Sequence, residues 1–266
     1  MLKRLVLIAM LALAAARADA LEYTDVYYNP AESGWGVFLV QSETTQFLAL
    51  FIYGQDGKPT WYVGQLTQDI AGKYNGTLYA TTGTYYILPW AGSSGGPVGT
   101  VSFQPSDNYH ATLTYTVNGV GTVTKAVQRQ TLTPYVLTGN YSGSMSGSVT
   151  GCTNPASNDT SLRARYNLAV TQVADQSATL TFTYVDTSHA GIVCTASGPL
   201  THLGRLYQIS NAQFSCTGPG ISPVPSTATL NSFHPTGQGI EGRVTGDGGG
   251  GCVLSLHFAA VLNVNN

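Results

Sequence analysis

The chain is poor in charge: Asp, Glu, Lys and Arg make up 9% of its 266 residues. It has no C-x-x-C pair, no H-E-x-x-H run and no phosphate-binding glycine loop, so redox dithiol, zincin and nucleotide chemistry lack their local signatures. Basic residues are scarce. Beyond residue 20 there are 8 of them against 12 acidic ones, a net charge near −4, which argues against a nucleic-acid partner. No later apolar run approaches the about 20 residues that a membrane-spanning helix needs. The five histidines, at 110, 189, 202, 234 and 257, include no pair at metal-ligand spacing, so neither metal nor cofactor is expected. Cysteine is absent from the first half.

Residues 1–20 read as an export signal: Lys3 and Arg4, the apolar run Leu5–Ala16, then Ala18-Asp19-Ala20 as a small-residue cleavage site. The expected location is extracellular or periplasmic. Beyond residue 20 the chain is rich in Thr and Tyr (16 Tyr in all), which suit half-buried pleated surfaces rather than a disordered chain. Ala111, Leu113, Tyr115 and Val117 alternate with polar residues, and Asn118-Gly119 comes next as a hairpin turn. Ala178, Leu180, Phe182 and Tyr184 alternate in the same way later on. Phe47–Tyr53 differs, being apolar on both faces, which predicts a central strand or one covered from outside.

These patterns predict an all-β protein of two antiparallel meanders, small up-and-down barrels or sandwiches, over residues 21–133 and 140–266 with a linker at 134–139. About seven strands are expected in the first and eight in the second. Cys152, Cys194, Cys216 and Cys252 all fall in the second, an even number that suits two disulfides after export. Loop entropy barely separates Cys152–Cys252 with Cys194–Cys216, about 8 kcal/mol in all, from Cys152–Cys194 with Cys216–Cys252. Strand order favours the first pairing, because a closed meander sets its first and last strands side by side.

Asn29-Pro30-Ala31-Glu32-Ser33-Gly34-Trp35-Gly36, then Phe51-Ile52-Tyr53-Gly54-Gln55-Asp56-Gly57-Lys58-Pro59-Thr60-Trp61, carry a family likeness. Residues 27–131 resemble a β-rich module of exported bacterial proteins with the signature NPxESGWG … FxYxxxGxPxW. That resemblance implies export and a β fold, and no reaction.

Turn chemistry explains most of the signature. Pro30 starts a turn, Gly34 and Gly36 can take positive φ around Trp35, Glu32 and Ser33 can satisfy turn amides, and Asp56-Gly57 is a turn before Pro59 opens a strand. Glu32 is the weak candidate for a catalytic acid, with Asp25 as its nearest carboxylate partner in a glycosidase-like pair. Asp247 and the glycines after it read as a flexible loop before Cys252. The aromatic candidates for binding are Tyr85, Tyr86 and Trp90, in a sixteen-residue connection Thr82–Pro97. That connection either plugs the barrel end or docks against the second half, or it presents its rings to a sugar, a protein or a membrane surface. Trp35 and Trp61 occupy strand positions, where core burial is expected, and stand behind the loop as binding candidates. The expected function is that of an exported, non-enzymatic binding or surface-interaction protein for a glycan or protein. The alternatives are a hydrolase of an extracellular polymer using Glu32, and a structural subunit of an extracellular assembly using strands such as Phe47–Tyr53.

Overall fold

The computed structural model of the protein describes residues 22–221 and 223–263. The export signal read at 1–20 lies outside the described residues. The fold is all-β, with no α-helix among the described residues, and the chain divides into two units between Gln128 and Arg129.

The first unit contains β1 (Asp25–Tyr28), β2 (Gly36–Ser42), β3 (Thr45–Tyr53), β4 (Pro59–Gln68), β5 (Tyr74–Gly83), β6 (Ser93–Pro105), β7 (His110–Val117) and β8 (Gly121–Arg129). Each pairs antiparallel with the next, and the meander closes into a barrel. The barrel is filled. Val37, Leu39, Leu48, Leu50, Leu66, Leu78 and Leu113 are fully buried, with Tyr27 and Phe103 meeting edge to face at 5.0 Å. In β7, Ala111 and Leu113 point inward while Thr112 and Thr114 point out, where Thr114 bonds Thr124 across to β8 at 3.1 Å.

The second unit contains β9 (Gly139–Thr150), β10 (Asp159–Val173), β11 (Ser177–Tyr184), β12 (Val193–Pro199), β13 (Thr201–Leu203), β14 (Leu206–Thr217), β15 (Ser226–Thr236), β16 (Gly239–Gly249) and β17 (Cys252–Leu262). A 3-10 turn, Pro155–Ser157, is capped by Asn154. The sheet order is β12-β11-β10-β9-β17-β16-β15-β14-β13, and β12 also pairs with β14. The pairings therefore run in a ring of eight, with β13 attached to β14. First and last strands are neighbours, Thr150 opposite Val253. Phe182 sits edge to face between Tyr166 and Phe258 at the centre of this core.

The disulfides are Cys152–Cys252 and Cys194–Cys216. The first joins the end of β9 to the start of β17, and the second links directly opposed residues of β12 and β14. Residues 134–139, expected as a linker, belong to the second unit. Leu137 is fully buried in its core, and the Tyr207 hydroxyl accepts from the Tyr135 amide at 2.7 Å and donates to the Tyr135 carbonyl at 2.9 Å. The run Asp247–Gly251, expected as a flexible loop, is mostly strand: β16 extends to Gly249, and Gly249, Gly250 and Gly251 turn the hairpin at φ of 84°, 59° and 77°. Among the described residues no helix is long and apolar enough to cross a membrane.

Candidate functional site

The connection expected over 82–97 is shorter and more ordered than its composition suggests. β5 and β6 stay paired out to Gly83 opposite Ser93, leaving a tip at 84–92. Thr84 holds the tip's neck. Its amide and its hydroxyl both donate to the Gly92 carbonyl, at 3.2 and 3.0 Å, and the same hydroxyl accepts from the Ala91 amide at 2.9 Å. Beyond the neck the Leu88 amide donates to the Tyr85 carbonyl at 2.9 Å, closing a β-turn.

That backbone carries five large apolar side chains into solvent: Tyr85, Tyr86, Ile87, Leu88 and Trp90, with Tyr86 at 86% and Trp90 at 72% of full exposure. Tyr85 and Tyr86 pack edge to face at 4.9 Å, and Trp90 lies over Gly83, where an added Cβ would be 3.7 Å from its ring. The tip does not plug the barrel, whose interior is filled by its own strands.

Trp61 corrects an expectation. It lies on the outward face of β4 and is 51% exposed, directly opposite the equally exposed Phe51 of β3. Phe38 and Val40 on β2 and Phe47 on β3 share that outward face, with Val40 opposite Phe47. Phe47–Tyr53 is therefore two-faced without an outer cover: Leu48 and Leu50 fill the barrel, while Phe47, Phe51 and Tyr53 are about half exposed. Single exposed apolar residues are ordinary, but a lattice of opposed ones is the mark of a contact surface. Trp35, expected on a strand and in the core, instead precedes β2 and is half-buried against the core.

Glu32 is a clamp. Its Oε1 accepts from Lys125 Nζ on β8 at 2.8 Å and its Oε2 from the Trp35 indole at 3.1 Å. The Lys125 hydrogen bond, with the ammonium charge and the indole behind it, outweighs desolvation and holds the carboxyl below its usual range. A general acid needs the opposite shift, and both oxygens are already engaged. Asp25 points into the barrel, 6% exposed, with Oδ1 accepting from the Val26 amide at 2.9 Å. The two do not form a glycosidase pair. The rest of the motif is turn chemistry: Asn29 Oδ1 accepts from the Ala31 amide, Asp56 Oδ1 from the Lys58 amide, and an added Cβ at Gly34 would meet the Tyr53 hydroxyl at 2.8 Å.

Gly92-Ser93-Ser94-Gly95-Gly96 has the letter spacing of a serine nucleophile elbow, but it runs into strand β6 where the elbow needs a helix, and the Ser94 hydroxyl bonds Thr82. No cluster of three metal-ligating side chains exists among the described residues.

Because the folded-state pKa of Glu32 is depressed, its contribution to stability is present above the ordinary glutamate value and lost as pH falls through the folded one. Thermal melts should therefore show an acid decline beginning below about pH 4.5. Glu32→Gln should flatten that decline while leaving the neutral-pH fold intact. An unchanged acid limb in the variant would show that Lys125 contributes nothing through Glu32.

No family model matches the chain, and no curated protein matches it in sequence. Among solved structures, it is similar to the isotype 1 transferrin binding protein B of serogroup B Neisseria meningitidis. The identity is 11% and the TM-score 0.32, covering 90% of this chain and 69% of that one. At that TM-score the likeness carries nothing to this chain, whose architecture rests on its own strand pairings.

Proposed function

We propose that this is an exported, non-enzymatic binding protein that takes hold of a protein partner with the β5–β6 hairpin tip. The observation that carries the reading is the tip itself: five exposed apolar side chains on a backbone fixed by the Thr84 hydrogen bonds. Preorganisation of this kind lowers the entropy lost on binding, and aromatic anchors with few rotamers dominate contact energies.

Protein is favoured over glycan by what the tip lacks. From Thr84 to Gly92 there is no Asp, Asn, Glu, Gln, Arg or Lys to hydrogen-bond sugar hydroxyls, and Ile87 and Leu88 add aliphatic bulk that a sugar does not need. The outward face of β2–β4 extends the apolar surface available to such a partner. Export is supported by the basic-apolar-small order of residues 1–20, by the two disulfides and by the resemblance over 27–131.

The test compares two variants in pull-down from the extracellular medium, on a glycan array and in co-sedimentation with neutral phosphatidylcholine vesicles. A protein is expected to be retained by wild type and Glu32→Gln and lost, by roughly a hundredfold in affinity, with Trp90→Ala. Retention by Trp90→Ala, or a signal confined to glycans or vesicles, would overturn the reading.

A further inference from the structure

The second unit carries a feature unrelated to the hairpin tip. At the end of its ring of strands where both disulfides lie, a cup of about 500 Å³ opens to solvent. That volume is within the roughly 300–1,000 Å³ of small-molecule sites, and far larger than the about 30 Å³ of a single water. Its walls come from opposite sides of the ring: Val149 of β9, Leu162 of β10, Phe214 of β14, and Leu254 and Leu256 of β17. Cys152–Cys252 and Cys194–Cys216 both form part of the wall, tying β9 to β17 and β12 to β14 around it. Each bridge reinforces a pair of neighbouring strands at this mouth, so the cup is shaped before a ligand arrives and binding carries a smaller ordering cost.

Its polar content decides what fits. Among the described residues no Lys, Arg, Asp or Glu lines the cup, and its polar side chains are those of Thr153, Asn154, Ser157, Tyr184 and His189. The lining histidine, His189, engages Asp186 Oδ1 through Nδ1 at 2.7 Å, and that carboxylate also accepts from the Arg165 amide through Oδ2 at 3.0 Å. With Nδ1 taken up by Asp186, Nε2 is the ring nitrogen left to hydrogen-bond a ligand. A charged ligand would lose its hydration here without finding an unpaired counter-charge, whereas hydrocarbon would cover apolar wall and a hydroxyl, which can donate or accept, could pair with the imidazole.

We infer that the cup is a second binding site, for a small uncharged molecule that is mostly hydrocarbon and carries a hydroxyl group. Barrel mouths are a common place for such ligands, and here Leu254, Leu256 and Phe214, each 5–7% exposed, supply apolar lining.

The neutral fluorophore N-phenyl-1-naphthylamine tests the site in the full chain. One saturable equivalent per chain is expected, displaced by 1-decanol and at least roughly tenfold less well by decanoate at about pH 8, where the carboxylate is ionised. Leu162→Trp, which fills the cup, should weaken the probe by roughly tenfold or more. Ser157→Trp, on the exposed rim, should do so without touching the core. Trp90→Ala should leave the titration unchanged, which separates this site from the hairpin tip. Absence of saturable binding, unaltered affinity in Ser157→Trp and Leu162→Trp, equal displacement by decanoate, or loss in Trp90→Ala would each overturn the inference.

Discussion

Replacing both Cys152 and Cys252 by serine is expected to destabilise the second unit by about 4.7 kcal/mol, the loop-closure entropy of a 100-residue loop returned to the unfolded chain. The same change at Cys194 and Cys216, whose loop spans 22 residues, should cost about 3.4 kcal/mol. The order rests on chain length and not on packing, since all four half-cystines sit in comparable strand-end positions. The readout can be made selective because Trp35, Trp61 and Trp90 all lie in the first unit. Tryptophan fluorescence in urea should therefore keep its midpoint in both double variants, while the far-ultraviolet β signal, to which both units contribute, gains a step at lower denaturant. A larger loss from the 22-residue pair than from the 100-residue pair would refute the entropic account. Domains of this size typically hold about 5–15 kcal/mol, so removing the longer bridge takes away a large share of what keeps the ring closed.

The disulfide pattern is legible in the sequence because strand order is legible. Once alternation such as that at Ala178–Tyr184 makes strands, and closure makes the first and last of them neighbours, Cys152 near the end of the first lies beside Cys252 at the start of the last. Turn residues are equally clear: Asp56-Gly57 and Asn118-Gly119 sit where their chemistry places them, with Gly57 and Gly119 at φ of 72° and 76°. In the first motif only Gly34 uses the left-handed region, at φ of 102°, while Gly36 opens β2. Faces are harder. Residues 60–63 of β4 are bulky on both sides, so period-2 reasoning cannot say which side is wet, and a tryptophan such as Trp61 reads as core. Glycine and serine at 92–96 read as loop because backbone pairing leaves no pattern in side chains, although β6 runs through them. β1, only four residues long, gives too little alternation to register. Two further features lie beyond any local reading. The Glu32–Lys125 clamp joins residues 93 apart, and the cup draws on residues from Val149 to Leu256 that meet only after the ring closes. The one local signal for the cup is the glycine run before Cys252, which falls beside a disulfide at the end of a strand.

Phe103→Ala should cost about 3–5 kcal/mol and Phe51→Ala less than about 1 kcal/mol, although both are phenylalanines in the middle or late part of strands in one barrel. Phe103 is fully buried and meets Tyr23 and Tyr27 edge to face at 6.1 and 5.0 Å. Truncating it leaves a cavity that a closed barrel has no slack to fill. Phe51 is 51% exposed, and its loss leaves only the flank of Trp61 less covered. Tryptophan fluorescence melts report both variants, since every Trp is in this unit. The comparison is severe, because shifting β3 or β6 by one residue would send each side chain to the other face and exchange the two costs. If the order holds, Phe51 and its outward neighbours contribute little to stability while remaining exposed to water. Under the function proposed above, a surface that folding does not need, built from opposed aromatic and aliphatic pairs, is available for contact with a partner. If that proposal holds, Phe51→Ala should weaken binding of the proposed protein partner while leaving the midpoint of unfolding nearly where it was.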